Sequence, residues 1–400
     1  MRVLLLLARF FAAGQTNHVV DLARALAAAG HQVTLVSTGP SGRGRSIRRA
    51  YTHDLRQAGV EVVSSDLEDG LPPGLPCPDV IHAHSTLDFA RAERLASRLH
   101  LPFVLTLHGL GATHLLAAGA LARAAAVIAV GRRVAAEALT VTPRVVVIEN
   151  GVDTRRFRPP GDDPAAFDAE PLPAASDPAA AAADSLSPPA MGRPFTILYA
   201  GRIDPEKRRT FRDLAGAVSL LADHRPARLV VLAVALPALG LDLGSGRRRE
   251  EIIDFRGWRV DPAPIFREAD VVAGSGRVIR EGMASGRPCL LAGQLYGGIV
   301  FPGALDPAGH DFSARGTHTH PAQVQRILAD LTRLATDQGL ARTLGRAGRA
   351  YALAHFGLER VVALTAEVYE EVLRGRALDR VGEGAATGPP AITRGRDRAP

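Results

Sequence analysis

The sequence predicts two doubly wound, Rossmann-like α/β domains facing each other across a hinge, on three observations. Apolar runs of strand length alternate with amphipathic helical stretches in both halves. The chain has 400 residues, 46% hydrophobic and 5% aromatic, and a single core stops growing near about 250–300 residues. Between the halves the composition collapses into Pro, Ala, Asp and Ser, including Ala179 to Ala183, with little that could build a core. The expected division is a first domain over 1–158, a Pro/Ala-rich linker or disordered insertion over 159–194, a second domain over 195–374 with terminal helices, and a disordered tail over 375–400.

Met1 to Phe11 opens the chain with an arginine at position 2 and an apolar run, followed by Ala12-Ala13-Gly14, which would suit a short signal peptide. A buried strand is preferred, because an amphipathic helix over Val19 to Ala29, a stop at Gly30 and a second strand over Gln32 to Ser37 follow in the rhythm of a parallel sheet. Further strands are expected over Pro78 to His84, Phe103 to His108, Ala126 to Val130 and Val145 to Ile148. Ligands of such sheets bind beyond the carboxyl ends of the strands. Gly14, His84 and His108 therefore fall on one rim.

The second series is expected as strand Phe195 to Ala200, helix Arg209 to Ala222, strand Leu229 to Ala235, a strand end at Val271 to Ala273 and helix Arg277 to Ala284. Gln323 to Leu373 is helical by periodicity.

No stretch reaches the roughly 20 apolar residues that a membrane-crossing helix needs. Cys77 and Cys289 provide neither a disulfide framework nor zinc-type spacing, so a reducing, cytoplasmic location is expected. The formal charge is +7, almost all of it arginine. Arg43 to Arg49, Arg247 to Arg249 and the tail read as solvated surface, and no aromatics interleave with them as base-stacking platforms, which argues against nucleic acid. The basic segment Ser41 to Gly59 leaves peripheral contact with an anionic membrane surface open beside the plainer reading of a solvated face.

The most informative chemistry lies in the second half. Gly201-Arg202-Ile203-Asp204-Pro205-Glu206-Lys207 follows a strand, placing a guanidinium fork and an ammonium where phosphate oxygens are commonly held. Lys207 is the sole lysine in an arginine-rich chain, which suggests that a compact, mobile charge matters there. Gly274-Ser275-Gly276-Arg277-Val278 then leads into a helix carrying Glu281. Glycines at that junction let backbone amides approach an anion, and the helix start adds partial positive charge. Glu281, about one turn along, is placed to accept hydrogen bonds from a ribose diol.

In order along residues 1–374, these motifs resemble the retaining family-4 glycosyltransferases of GT-B fold. The resemblance also rests on the opening strand, glycine turn and helix, on Asp79-Val80-Ile81-His82-Ala83-His84, on Thr106-Leu107-His108-Gly109, on Glu149-Asn150-Gly151-Val152-Asp153 with Phe157 and Pro159, and on Glu281-Gly282-Met283-Ala284-Ser285-Gly286-Arg287-Pro288. It implies transfer of a sugar from a nucleoside diphosphate donor, with retention, in the cleft between the domains. Arg202 and Lys207 would hold the pyrophosphate beside Gly201, Gly276 and Val278, and Glu281 the ribose. Gly14 would let the first loop approach the phosphates, and His108 would contact the donor sugar or the reacting centre. No cofactor and no metal are expected: there is no Asp-x-Asp pair, and His82 with His84 reads as a strand end.

The sequence also departs from the pattern. Ala273 stands where the family often has a first glutamate, Ser275 where it has a bulky residue, and Ala13-Gly14 replaces a commoner double glycine. Arg277 fills a usually apolar slot, where it is expected to add positive charge toward the nucleotide. Loss of the first glutamate keeps open a nucleotide-sugar-binding regulator without turnover, and more distantly a hydrolase or epimerase. The acceptor, whether glycan, lipid-linked or small molecule, is not encoded in a recognisable motif. Trp258 either lies near the base pocket or fills core.

Overall fold

The computed structural model describes residues 1–11, 13–39, 45–111, 115–161, 193–234, 249–306, 309–315 and 319–375. Nearly all of the expected linker and tail, and the arginines at 43, 247 and 248, lie outside the described residues.

The first sheet has seven parallel strands: β1 (Arg2–Leu7), β2 (Gln32–Ser37), β3 (Glu61–Ser64), β4 (Val80–Ala83), β5 (Phe103–Leu107), β6 (Ala126–Ala129) and β7 (Val145–Val147). Their order is β3-β2-β1-β4-β5-β6-β7, so β1 lies inside the sheet and the strand order reverses beside it, between β1 and β4. All but the first residue of β1 are buried, because helices cover both faces and a parallel strand must be apolar on both sides. Each such Leu contributes about 1.5–3 kcal/mol by leaving water. Two cores result, one per face, centred on Leu5 and Leu6. The helices are α1 (Gly14–Ala28), α2 (Arg45–Gln57), α3 (Thr86–Leu99), α4 (Leu115–Arg123) and α5 (Arg132–Ala138).

Helix α1 starts five residues before the expected Val19. Gly14 to Asn17 show no apolar period, yet the helix reaches back to the end of β1, where Thr16 is buried and accepts from the Phe11 amide at 3.1 Å. Gly30, at φ +88°, ends the helix as expected.

The second sheet has the order β10-β9-β8-β11-β12-β13. Its strands are β8 (Phe195–Ala200), β9 (Ala227–Leu232), β10 (Ile253–Phe255), β11 (Val271–Gly274), β12 (Cys289–Ala292) and β13 (Tyr296–Ile299), with only β13 antiparallel to its neighbour. Helices α6 (Arg208–Ala222), α7 (Arg249–Ile252), α8 (Ala263–Glu268) and α9 (Arg277–Ala284) connect or flank these strands. The expected carboxyl-terminal helical stretch is α10 (Val324–Thr336), α11 (Gln338–His355) and α12 (Leu358–Leu373), broken at Asp337, which caps α11 by accepting from the Leu340 amide, and at Phe356-Gly357.

Helix α12 returns to the first domain. Val361, Val362, Val368, Tyr369 and Val372 join the core that holds Val3 and Leu5. Val152 bridges to the turn before α12, its amide donating to Phe356 O at 2.8 Å and its carbonyl accepting from Leu358 N at 3.0 Å. Buried Arg349 donates to the carbonyls of Thr154, Phe157 and Ala284, fixing the crossing strand against α9. Trp258 packs edge-on to Tyr51 of α2, with ring centroids 5.2 Å apart, as a contact between the domains. No helix among the described residues is long and apolar enough to cross a membrane.

Candidate functional site in the interdomain cleft

A cleft of about 830 Å³ opens between the two sheets. Its floor on the first-domain side is the loop after β5, His108-Gly109-Leu110, beside the turn after β6 that leads to Arg132 and Arg133. The opposite wall is the loop after β8, carrying Arg202, Asp204 and Lys207, together with Ser275-Gly276 at the start of α9. Arg202, Lys207 and the mouth of α9 thus converge on one space. Gly201 and Gly276 hold φ of +132° and +62°, conformations that a Cβ disfavours, and they turn the chain tightly at the ends of β8 and β11.

The cleft is strongly cationic, and most of its arginines are matched. Arg202 lies 3.4 Å from Asp204, Arg133 3.4 Å from Asp311, and Arg315 2.6 Å from Glu206. Among the described residues Lys207 makes no ion pair. Burial and the nearby guanidinium groups of Arg202 and Arg315 hold its ammonium below the ordinary lysine range, against the pull of Asp204. A charge in that position gains most from an anion.

A second network closes the cleft at the crossing segment. Glu149 accepts from Arg280 Nη2 at 2.8 Å, from the His310 amide at 2.9 Å, and pairs with His310 Nδ1 at 2.7 Å; His310 Nε2 meets the Tyr351 hydroxyl at 2.7 Å. The Arg280 guanidinium also stacks over Phe356 at 4.9 Å. The sequence marked Glu149 as part of a motif. His310 and Arg280 carried no sequence signal of their own, since their partners are 161 and 131 residues away.

The remaining expected site residues sit elsewhere. Arg277 does not face the cleft: its Nε donates to Glu281 Oε1 at 2.6 Å and its Nη2 to Asp21 of α1, all three groups being buried. Burial works against the Arg277 charge, but the two carboxylates outweigh it and hold the guanidinium above its ordinary range. Glu281, engaged by Arg277, lines a narrow crevice with Asp21, Tyr51 and Arg156 rather than the large cleft. Val278 packs into the core beside Gly274, and Ala273 is wholly buried within β11. Gly14 is the first residue of α1; a Cβ there would meet no atom within 4 Å, so packing does not require glycine.

The histidines divide into two kinds. His82 is a satisfied core residue, its ring held by the Tyr369 hydroxyl at 2.6 Å and Thr106 Oγ1 at 2.7 Å, and burial pushes it down to about 3. His84 meets His108 at 3.2 Å, with His18 of α1 beside both. Burial lowers all three rings below the ordinary imidazole range, and they are neutral at pH 7.

Comparison with known proteins gives these features a context. Residues 12–156 match the Glycosyltransferase Family 4 profile. A D-inositol 3-phosphate glycosyltransferase of Streptomyces bingchenggensis is 32% identical over 255 residues, covering 58% of this chain. The aligned part spans about half of that relative's length, 48%. Among solved structures, Anabaena HepE in complex with UDP and glucose superposes with a TM-score of 0.64 at 18% identity, covering 93% of this chain and all of that one. Sucrose-phosphate synthase of Thermosynechococcus elongatus gives 0.61 at 18% identity, with 94% and 100% coverage. At such identities the structural likenesses establish architecture: the chain has the two-domain α/β fold of the GT-B glycosyltransferases.

Proposed function

We propose that the protein transfers a sugar from a nucleoside diphosphate sugar to an acceptor, with retention of anomeric configuration, in the interdomain cleft. The observation that carries this reading is the convergence of Arg202, Lys207 and the Gly276 end of α9 on one cleft wall, opposite His108. As the bond from the anomeric carbon to the leaving oxygen breaks, its electron pair passes to the diphosphate. Fixed cations and helix-start amides there, including that of Val278, lower the barrier more than they stabilise bound donor. These groups supply the role that a divalent ion has in other transferases, so the transfer is proposed to need neither metal nor cofactor. His108 faces the donor sugar, and Gly14, although outside the cleft lining, leaves the start of α1 free of a side chain.

Glu281, held by Arg277, supports this wall from behind. Its expected ribose contact would require that pair to open. Anabaena HepE has been crystallised with UDP-glucose, which makes that donor the first to test. The Streptomyces relative is named for an inositol phosphate, and Arg132 of the first-domain wall, which makes no ion pair among the described residues, suits an anionic acceptor. The chain is proposed to act in the cytoplasm, without nucleic acid.

The test is incubation with a panel of nucleotide sugars, with and without glycan, lipid-linked and phosphorylated polyol acceptors. The reading expects acceptor-dependent release of nucleoside diphosphate, and NMR of the product expects the donor's anomeric configuration. Tight donor binding without turnover across the panel, or donor loss that ignores the acceptor, would overturn it.

A further inference from the structure

We propose that His18, His84 and His108 form a binding site for a borderline transition-metal ion such as Zn²⁺ or Co²⁺, and that filling it withdraws His108 from the donor and stops transfer. The second half of this statement rests on the function proposed above; the first does not.

Three separate elements deliver the three rings: α1, the end of β4 and the end of β5. One ring nitrogen from each lies within 4.8 Å of the other two. His84 Nδ1 and His108 Nε2 stand 3.2 Å apart. Two nitrogens bound to one tetrahedral ion at the usual Zn–N length would be separated by about 3.3 Å, so this pair is already at ligand spacing.

The rings are also less committed than that of His82: the contact between His84 Nδ1 and His108 Nε2 is the only ring hydrogen bond that any of the three makes among the described residues, and an ion would replace it. His84 Nε2 is buried without a hydrogen-bond partner, on a residue 2% exposed. No hydrogen bond holds the His18 ring among the described residues. A core built merely to bury histidines would satisfy them, as it does both nitrogens of His82. All three rings are neutral by burial, and a neutral imidazole keeps the lone pair that a metal takes.

The donor set selects the ion. Three imidazoles without a carboxylate suit Zn²⁺, Co²⁺, Ni²⁺ or Cu²⁺ and not Mg²⁺ or Ca²⁺, which prefer oxygen. Arg277 and Arg280 act on His18, but their charges are offset by Asp21, Glu281 and Glu149. His108 lines the cleft, so the ion would have access from solvent and would hold the one imidazole that faces the donor.

The experiment titrates untagged protein with Co²⁺, read by visible absorption, and with Zn²⁺, read by calorimetry. The expected result is one ion per chain with a tetrahedral spectrum, binding at least about tenfold weaker in His18→Gln and in His84→Gln, and no response to Mg²⁺. Circular dichroism checks both folds; if His84→Gln fails to fold, His18→Gln alone decides. Absence of stoichiometric Co²⁺ binding, or unchanged affinity in His18→Gln, overturns the site. For the second half, Zn²⁺ should suppress transfer in the parent, chelation should restore it, and His18→Gln should transfer sugar regardless of Zn²⁺. Zn²⁺ that binds without inhibiting overturns that half. Co²⁺ binding in a protein that transfers no sugar under any metal condition leaves the site standing and overturns the transferase reading instead.

Discussion

Arg277 of α9 donates across the domain boundary to the Asp21 carboxylate of α1. The same guanidinium holds Glu281 one helical turn along, and Arg156 Nη1 stands 3.8 Å from Asp21, so two guanidinium groups share with Asp21, Glu281 and Asp54 a crevice that has no lining residue in common with the main cleft. An apolar side chain at position 277 would leave both acids without their nearest donor.

Arg277→Ala should therefore act on stability before it acts on nucleotide binding. Breaking a buried pair by removing one partner costs about 3–5 kcal/mol, because the remaining charge is stranded. A clear fall in apparent melting temperature is expected, partly recovered by adding Asp21→Asn. Parental melting combined with weakened nucleotide affinity would place the guanidinium on the donor, as the sequence alone suggested.

Lys207 should act in the opposite order. It is half-buried and makes no ion pair among the described residues, so Lys207→Met removes an unfavourable desolvated charge from the free protein and should leave melting unchanged or slightly raised. Nucleoside diphosphate binding should weaken by about 10–100-fold, the worth of a charge-assisted hydrogen bond of roughly 1.5–3 kcal/mol. Its lowered pKa adds a pH signature. The ammonium loses its proton at lower pH than an ordinary lysine, and an anion favours the protonated form. Affinity should thus fall as pH rises through that lowered value, and Lys207→Arg, always charged, should flatten the fall. Calorimetric titration with UDP across alkaline pH checks both.

The sequence made both sheets legible because parallel strands are buried on two sides and read as unbroken apolar runs, as in Leu4 to Leu7 and Phe195 to Ala200. Short or polar strands escaped. Glu61–Ser64 sits at a sheet edge with its outer residues exposed, and Tyr296–Ile299 contains two glycines, so neither shows strand periodicity.

The loop bearing Arg202 and Lys207 was readable because its residues act from one contiguous segment after a strand. The partners of Arg277 are hidden for the converse reason: local spacing gives its distance to Glu281 but not to Asp21, 256 residues away. The histidine cluster shows the same limit. His84 and His108 were placed on one rim, but His18 hid inside a helix that periodicity started one residue too late to include.

Gly201 offers a test of the cleft wall itself. Its φ of +132° lies where only glycine is comfortable, and a Cβ would meet no neighbouring atom within 4 Å. Gly201→Ala should therefore carry backbone strain alone, of order 1–3 kcal/mol. If the chain relieves that strain by shifting the loop, Arg202 and Lys207 move together. The expected result is a modest loss of melting temperature with a larger loss of UDP affinity; a large stability loss with unchanged affinity would separate the loop from the ligand.

Glu149 links pH to the contact of the crossing segment with Arg280 and His310 of the second domain. Burial opposes its charge, but His310 and Arg280 outweigh burial and hold the carboxyl below its ordinary value of 4.5. The folded protein thus binds fewer protons at this site than the unfolded chain. Its contribution is fully present above the ordinary value and is lost as pH falls from there through the lowered one. Arg280, 5% exposed, makes its one side-chain ion pair among the described residues with Glu149. Glu149→Gln keeps an acceptor for Arg280 but no charge, and should cost about 1.5–3 kcal/mol near neutrality. The gap between parent and variant melting temperatures should be widest near pH 7 and narrow steadily below pH 4.5, where the parent carboxylate is itself being neutralised. A gap that stays constant down to strongly acid pH would mean that the Glu149 charge takes no part in holding Arg280, and that packing of the ring stack against Phe356 fixes the guanidinium by itself.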